Sequence, residues 1–349
     1  MGGGSTMKVH LAFVAFIMAK ALLCSSMDAS SSSSLRIMDT SRAVLIRVDQ
    51  SGKGDYQKIQ DAIDAVPSNN SQLAFIWVKP GTYTEQIVVP ADKPFITVSG
   101  TDASNTIITW SEGGDIHDSS AFTVFASDFV GRYLTIQNTF GTSGIATALR
   151  VAGDRAAFYN CRILSFQDTL LDELGRHYFS NCYIEGGTDF ICGDAASLYE
   201  RCHLHSISPG DGAITAQHRE SPLENTGFVF LGCKITGLAT AYLGRPWGAY
   251  SRVVFAYSSL SSVILPEGWN DWNDPTTHST VYYGEYKCYG PGAKRTGRVE
   301  WSKSLSSQEV SPFLSKAMIG GRGWLRSTPT HFIRPSNITL TTVKAEGNN

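Results

Sequence analysis

Residues 160–193, NCRILSFQDTLLDELGRHYFSNCYIEGGTDFICG, contain two near-copies of one unit. Asn-Cys-Arg-Ile at 160–163 returns as Asn-Cys-Tyr-Ile at 181–184, and Asp168 and Asp189 are separated by the same 21 residues. If each unit forms one coil of a solenoid, equivalent positions stack about 4.8 Å apart, which is the spacing of neighbouring strands. The repeat therefore predicts that the two aspartates lie side by side on one edge of the molecule.

The unit recurs on both sides of this stretch. Each copy has an apolar residue, one intervening residue and then Ile or Leu. The two apolar side chains therefore lie on the same side of a strand. Copies occupy 132–136, 158–163, 178–184, 198–204 and 229–235. This period predicts an all-β fold, a right-handed parallel β-helix with a few short peripheral helices. A β-sandwich is the weaker alternative, because hairpin turns such as Asn-Gly are missing between the strands.

The N-terminal segment is typical of a secretory signal. Lys8 and His10 precede an apolar run at 11–19 that is too short to span a bilayer, and small residues follow it. We predict a signal peptide at 1–28, a Ser-rich tether at 29–42 and a β-helix domain at 43–349, with an uncleaved anchor as the alternative. After cleavage the protein would be secreted and free of the membrane. The formal net charge of −2 argues against a nucleic-acid partner.

Hydrophobic spacing outside the repeat predicts the remaining elements. A helix is expected over 56–66, capped by Asp55 and ended by Pro67, and a second over 308–318, packed on the outside of the solenoid or closing its end. Strands are expected at 44–48, 73–78, 87–89, 95–99, 106–109, 122–125 and 133–136.

Six cysteines remain once Cys24 is removed with the signal segment. They are Cys161, Cys182, Cys192, Cys202, Cys233 and Cys288. An even number fits an oxidising compartment without fixing the pairing. Cys161 and Cys182 stack at core positions, where we expect free thiols. Asn-x-Ser/Thr glycosylation sequons at 69–71 and 337–339 fit the same compartment.

Asp168 and Asp189 are the candidate catalytic residues. Like charges at strand spacing raise the pKa of one carboxyl, so one group stays an anion while the other keeps its proton. That division suits a nucleophile and a general acid, whereas the alternative is two solvated aspartates on a coil edge. Gln167 places an amide donor beside the first carboxylate.

The motif Leu-Gly-Arg-Pro-Trp at 243–247 adds a guanidinium and a large ring. Arg245 can pair with a carboxylate and keep it ionised, and Trp247 can stack on a sugar face; a structural ion pair beside a buried ring is the alternative. The histidines at 203 and 205 point away from Cys202 on a strand, so no shared metal ion is expected. No Gly-x-Ser-x-Gly, Walker or His-Glu-x-x-His motif occurs, and neither a metal nor a cofactor is predicted.

Taken together, these residues resemble the plant pectinesterases (pectin methylesterases), of a form without the inhibitor-like pro-region. The resemblance runs from about residue 44 to residue 329. It rests on five ordered motifs: Gly-Thr-Tyr-Thr-Glu at 81–85, Gln-Asp-Thr at 167–169, Asp-Phe-Ile-x-Gly at 189–193, Leu-Gly-Arg-Pro-Trp at 243–247 and Pro-Glu-Gly-Trp at 266–269.

The resemblance implies hydrolysis of methyl-esterified homogalacturonan in the cell wall, with release of methanol. It implies that Asp189 is the nucleophile, that Asp168 acts first as acid and then as base, and that Gln167 donates to the oxyanion. In the same way Arg245 would hold Asp189, and Trp247 would line the sugar subsite.

Further implications concern partners and covalent links. The resemblance implies pectin as substrate, a protein pectinesterase inhibitor as a candidate partner and a Cys202–Cys233 disulfide, and we expect a monomer. Two departures stand against it: Ile145 occupies the position of a usual glutamine donor, and 118–120 lack the usual substrate-binding threonine. The alternatives are therefore a pectin-binding protein with little or no catalysis, or another β-helix enzyme of pectin, a lyase or a polygalacturonase.

Overall fold

The computed structural model describes residues 40–334, and its strands wind into a parallel β-helix with three faces. Sheet A has twelve strands, sheet B eight and sheet C seven. Every strand pair in residues 40–334 is parallel. The predicted β-helix is confirmed, and the β-sandwich is excluded because its strands pair antiparallel.

The strands succeed one another around the three faces. In chain order they are β1 (Arg42–Val48), β2 (Ala74–Val78), β3 (Gly81–Thr84), β4 (Ile87–Val89), β5 (Ile96–Ser99), β6 (Thr106–Trp110), β7 (Phe122–Val124), β8 (Val130–Arg132), β9 (Thr135–Asn138), β10 (Leu149–Val151), β11 (Ala156–Tyr159), β12 (Arg162–Leu164), β13 (Leu170–Asp172), β14 (Arg176–Ser180), β15 (Tyr183–Gly186), β16 (Ile191–Gly193), β17 (Ala196–Glu200), β18 (His203–Ser206), β19 (Gly212–Gln217), β20 (Gly227–Leu231), β21 (Lys234–Gly237), β22 (Ala241–Pro246), β23 (Arg252–Ala256), β24 (Ser259–Leu260), β25 (Tyr282–Tyr286), β26 (Lys303–Ser304) and β27 (His331–Ile333). From β2 to β22 they enter sheets A, B and C in turn, so three consecutive strands make one coil. The last strand of the described residues, β27, returns to pair with β1.

A column of aromatic rings runs through the core, one ring per coil. Its members are Phe158, Phe179, Tyr199, Phe230 and Phe255, all fully buried. Successive ring centroids lie 5.1, 4.7, 4.6 and 4.5 Å apart with interplanar angles of 8°, 6°, 19° and 14°. Stacked pairs of this kind each add about 0.5–1.5 kcal/mol beyond the area they bury. The repeat in the sequence is therefore the signature of this column.

A column of buried thiols stands beside the rings. The thiols of Cys182, Cys202 and Cys233 donate to backbone carbonyls one coil earlier, at 3.5, 3.5 and 3.3 Å. Cys202 and Cys233 are free, so the predicted disulfide between them is wrong: both thiols point the same way along the column, toward carbonyl oxygens. Cys161 and Cys182 are free, as predicted.

The first helix, α1 (Ile59–Asp64), packs against β1, β2 and β4 and is shorter than the predicted 56–66. Its predicted cap is wrong, because Asp55 instead forms an ion pair with Arg47 at 3.0 Å. The carboxylate of Glu85 accepts from the first two helical amides, each at 3.0 Å. The glutamate of the 81–85 motif thus caps a helix 26 residues away in sequence.

The predicted C-terminal helix is broken into short turns. The second helix, α2 (Ser307–Val310), ends where Pro312 removes an amide, and 3-10 turns follow. These turns are Ser311–Phe313, Lys316–Ile319 and Gly321–Gly323; two others are Pro275–Ser279 and Pro291–Ala293. Buried Val310 and Ile319 join an apolar cluster with sheet A, so the predicted outside position is confirmed.

The predicted signal peptide and most of the tether lie outside the described residues, and β1 begins at Arg42. No helix within residues 40–334 is long and apolar enough to cross a membrane.

Candidate active site

The two aspartates occupy the turn that leads from sheet B into sheet C, two residues before β13 and β16. Both adopt the left-handed conformation, with φ of 57° at Asp168 and 47° at Asp189, which aspartate tolerates better than most residues. The pairing of Leu170 with Ile191 places the two aspartates in register in adjacent coils. The structure therefore brings together the two carboxyl groups that the 21-residue spacing predicted.

Arg245 reaches Asp189 from β22, two coils further along sheet C. Its Nε donates to Oδ1 at 2.8 Å and its Nη2 to Oδ2 at 2.5 Å, a two-pronged contact that fixes the carboxylate plane. The preceding Gly244 is required by space, because a Cβ there would lie 2.0 Å from the Thr215 hydroxyl oxygen. The Gly-Arg-Pro-Trp motif thus aims one guanidinium at one carboxylate.

The other side of the Arg245 guanidinium is covered by Trp272, whose ring centroid lies 3.7 Å from the guanidinium carbon. Trp269, three residues earlier, is buried and stacks on Tyr283 at 4.4 Å, which anchors the loop. Trp269 ends the Pro-Glu-Gly-Trp motif at 266–269, but Trp272 lies outside the motifs found in the sequence. The cation–π contact of Trp272 was missed, because nothing in the local sequence links it to an arginine 27 positions away.

The two carboxyl groups are held in unlike electrostatic states. Both are buried, with 6% of Asp168 and 4% of Asp189 exposed. Burial, and then the charge of Asp189, raise the pKa of Asp168 to about 7. Burial also raises the pKa of Asp189, but the hydrogen bonds and charge of Arg245 oppose that shift. Near neutral pH Asp168 therefore retains its proton more readily, while Asp189 is the better anion.

One position on three successive coils is occupied in turn by Ile145, Gln167 and Thr188. Isolated parallel bridges pair Ile145 with Gln167 and Gln167 with Thr188. Gln167 is half-buried and directly precedes Asp168. The hydroxyl of buried Thr147 donates to the carbonyl of Ile116 at 2.9 Å, so it is not directed at the site. An aliphatic side chain therefore stands in register with the amide of Gln167.

Trp247 is 39% exposed, which sets it apart from a buried structural ring. One face of its indole stacks on His218 at 4.2 Å, and His218 Nε2 lies 2.9 Å from a carboxylate oxygen of Glu220. Trp247 and Trp272 both line a cleft of about 360 Å³. The remaining lining residues are Glu220, Pro246, Gly248, Ala249, Asp274 and Thr277.

A loop at 111–119 covers part of sheet C. Ile116 from this loop packs on Leu171, Cys192 and Ala216, which form a small buried cluster on three neighbouring strands. The carbonyl of His117 accepts from Arg150 at 3.2 Å and helps to fix the loop. This loop has no periodic pattern of hydrophobic residues, and the departure noted at 118–120 lies at its end.

The histidines at 203 and 205 share one hydroxyl partner. Their ring nitrogens both contact the hydroxyl of Thr236, at 2.7 and 2.6 Å. Within residues 40–334, no group of three or more His, Cys, Asp or Glu side chains is arranged to hold a metal ion.

Comparisons with known proteins find similar sequences and similar structures. The family model described as Pectinesterase matches residues 45–322. "Putative pectinesterase 11" of Arabidopsis thaliana is 67% identical over 297 residues, which cover 84% of each chain. The structure of the pectin methylesterase from carrot is similar with a TM-score of 0.77 at 35% identity, covering 85% of this chain and 97% of that one. A pectin methylesterase in complex with a hexasaccharide is similar with a TM-score of 0.68 at 25% identity, covering 82% and 98%.

Proposed function

The chain belongs to the pectinesterase family, and from that premise we propose that it hydrolyses the methyl esters of homogalacturonan pectin and releases methanol. One observation carries the proposal: two buried carboxyl groups stand in register on adjacent coils, and only one of them is held by an arginine. The carrot relative is a pectin methylesterase, and a second structural relative binds a hexasaccharide, which supports pectin as the substrate.

In the first half-reaction, an Asp189 carboxylate oxygen attacks the ester carbonyl carbon. Arg245 fixes the plane of that carboxylate and keeps it ionised. The tetrahedral intermediate collapses with cleavage of the bond to methoxide, which takes the proton of Asp168 and leaves as methanol. A pKa of about 7 keeps this proton on Asp168, and so available to the leaving group, at pH values below that pKa.

In the second half-reaction, Asp168 is a carboxylate and accepts a proton from water. The water oxygen attacks the substrate carbonyl carbon of the acyl-enzyme, and the bond to Asp189 breaks. Galacturonic acid is released, Asp189 is again a carboxylate and Asp168 is again protonated. The amide of Gln167 donates to the oxyanion in both steps, whereas Ile145 adds no donor.

We propose that the enzyme acts outside the cell, in the cell wall where its substrate lies, as a monomer. A protein pectinesterase inhibitor remains a predicted partner. The signal-like segment at 8–26 and the sequon at 69–71 support secretion.

The test is methanol release from esterified pectin by the purified wild-type protein and by Asp189→Asn. We expect release by the wild type and a loss of several orders of magnitude in the variant, which keeps the shape but not the nucleophile. Pectin binding without methanol from the wild type would instead identify a binding protein. An unsaturated product would identify a lyase, and chain cleavage without methanol a polygalacturonase.

A further inference from the structure

We propose that Glu220 and Asp274 are specificity-determining residues, which require the galacturonate beside the reacting one to keep its methyl ester. The inference rests on the proposed function and adds the ester pattern on which the enzyme acts. It is carried by the cleft between the two exposed tryptophans and by the charges at its rim.

The cleft adjoins the nucleophile. Trp272 contacts the guanidinium of Arg245, and Arg245 in turn holds Asp189. Trp247 follows Arg245 by two residues and, with Trp272, gives the cleft apolar walls. A polymer whose reacting ester lies at Asp189 therefore places a neighbouring sugar in this cleft, where indole rings suit the apolar face of a pyranose.

The two charged side chains that line the cleft are both acidic. Its described lining residues include two carboxylates, Glu220 and Asp274, and no lysine, arginine or histidine. The guanidinium of Arg245, which contacts the cleft residue Trp272, is already bound by Asp189 on its edge and covered by that ring on its face. The guanidinium of Arg219, which precedes Glu220, donates to the backbone carbonyls of Glu224, Tyr250 and Pro222. A free galacturonate carboxylate in this cleft would meet like charges and no cation among the lining residues, whereas a methyl-esterified unit is neutral and escapes the repulsion.

The two carboxylates differ in their surroundings. Glu220 lies 2.9 Å from His218, which compensates its charge whenever the imidazole is protonated. Asp274 accepts from the amide of Thr276 at 3.1 Å and from its hydroxyl at 2.5 Å, which fixes its position without adding a positive charge. Asp274 therefore exerts the larger part of the repulsion.

The experiment compares kcat/KM on two pectins of equal length, one densely and one sparsely esterified. In the double variant Glu220→Gln and Asp274→Asn, we expect kcat/KM on the sparse pectin to rise about fivefold, with less than about a twofold change on the dense pectin. Asparagine retains the acceptor that caps Thr276, so the loop should keep its fold. Of the two single variants, Asp274→Asn should show the larger effect.

The control removes two carboxylate charges from another part of the molecule. Asp49 and Asp102 accept from backbone amides two residues on, as Asp274 does, but follow β1 and β5 in the first coils. Their Asn variants should leave the ratio between the two pectins unchanged. Salt at about 0.5 M should weaken the wild-type preference by screening and should have little effect in the cleft double variant.

If the double variant releases methanol with the wild-type ratio between the pectins, Glu220 and Asp274 do not set specificity, and the inference alone is overturned. If the wild type releases no methanol from either pectin, the proposed function fails and the inference falls with it.

Discussion

The core columns and the aspartate edge, which carries Asp168 and Asp189, arise from the same repeat but have opposite energetics. Inside the solenoid, like side chains stack as neutral rings and thiols, and each new coil adds favourable contact. At the edge, the same one-coil spacing stacks Asp168 on Asp189, two buried carboxyl groups that repel each other. Stacking of like residues thus stabilises the core, whereas at the edge it costs stability and, in the proposed function, supplies the nucleophile and the acid.

The fold tolerates the two stacked carboxyl groups because the electrostatic cost of each one is reduced in a different way. Arg245 compensates one carboxylate with two hydrogen bonds, and the other carboxyl avoids ionisation by a raised pKa. The continuous core on the other side of the backbone supplies the surplus stability. If this comparison is correct, variants at the edge should lower activity without destabilising the fold, and variants in the core should lower stability with little effect on activity.

The largest expected effect is at the edge. Asp168→Asn should lower methanol release on the order of 10³-fold, because the general acid and base is lost. It should also stabilise the fold at high pH. The folded pKa of about 7 lies above the unfolded value, so the wild type loses stability as pH rises from about 4 to about 7, and asparagine does not.

Urea unfolding of the wild type and of Asp168→Asn would check the stability change. We expect the stability advantage of the variant to be about 1–3 kcal/mol larger at pH 8 than at pH 4. A variant that is less stable than the wild type at pH 8 would contradict the view that the edge stores electrostatic cost.

In the core, Phe179→Ala should cost about 3–5 kcal/mol of unfolding free energy, because the ring is fully buried between Phe158 and Tyr199. Where the variant is still folded, kcat should stay close to that of the wild type. Tyr289, which is 61% exposed, provides a control whose alanine variant should cost less than about 1 kcal/mol. Thermal and urea unfolding measure the loss of stability in both variants. A loss below about 1 kcal/mol for Phe179→Ala would contradict the view that the stacked rings stabilise the core.

A smaller effect is expected at Ile145, which stands in register with Gln167. Ile145→Gln should add an oxyanion donor and raise kcat about tenfold with little change in KM, since the donor acts mainly in the transition state. Ile145→Leu keeps the apolar character and should give no gain. Equal kcat in the glutamine and leucine variants would show that the donor has no role at this position.

The smallest effect concerns the thiols. Since all six cysteines in residues 40–334 are free, a reductant should shift Tm by less than about 1 °C, whereas loss of a disulfide typically costs about 2–5 kcal/mol. Alkylation of the denatured protein without reductant should label Cys202 and Cys233. Protection of both from alkylation would show that they are paired.

The sequence predicted what depends on the repeat. The β-helix, the register of Asp168 with Asp189 and the stacked core cysteines all follow from a period that can be read along the chain. The motif at 243–247 indicated that Arg245 pairs with a carboxylate, and the family resemblance named Asp189 as that carboxylate. Two predictions of helix ends were wrong. The first helix is capped by Glu85 and not by Asp55, and the predicted last helix is broken at Pro312.

The surroundings of the site could not be predicted from spacing. Three features of these surroundings join segments that are distant in sequence and carry no repeat. They are the loop at 111–119, the contact of Trp272 with Arg245, and the cleft that Glu220 and Asp274 both line. In a solenoid, the turns extend from regular coils without constraint from the neighbouring repeat, so their arrangement depends on tertiary contacts.

The most direct test of the central claim is the titration of the two carboxyl groups. Carbon-13 NMR of protein labelled at the aspartate carboxyl carbon, compared with Asp168→Asn and Asp189→Asn, assigns both signals. The account predicts that the Asp168 carboxyl stays protonated up to a pKa of about 7, while Asp189 is the anion of the pair at that pH. Titration of Asp168 near the ordinary value of about 4 would contradict it, because the stacked pair would then hold no proton to give to the leaving group.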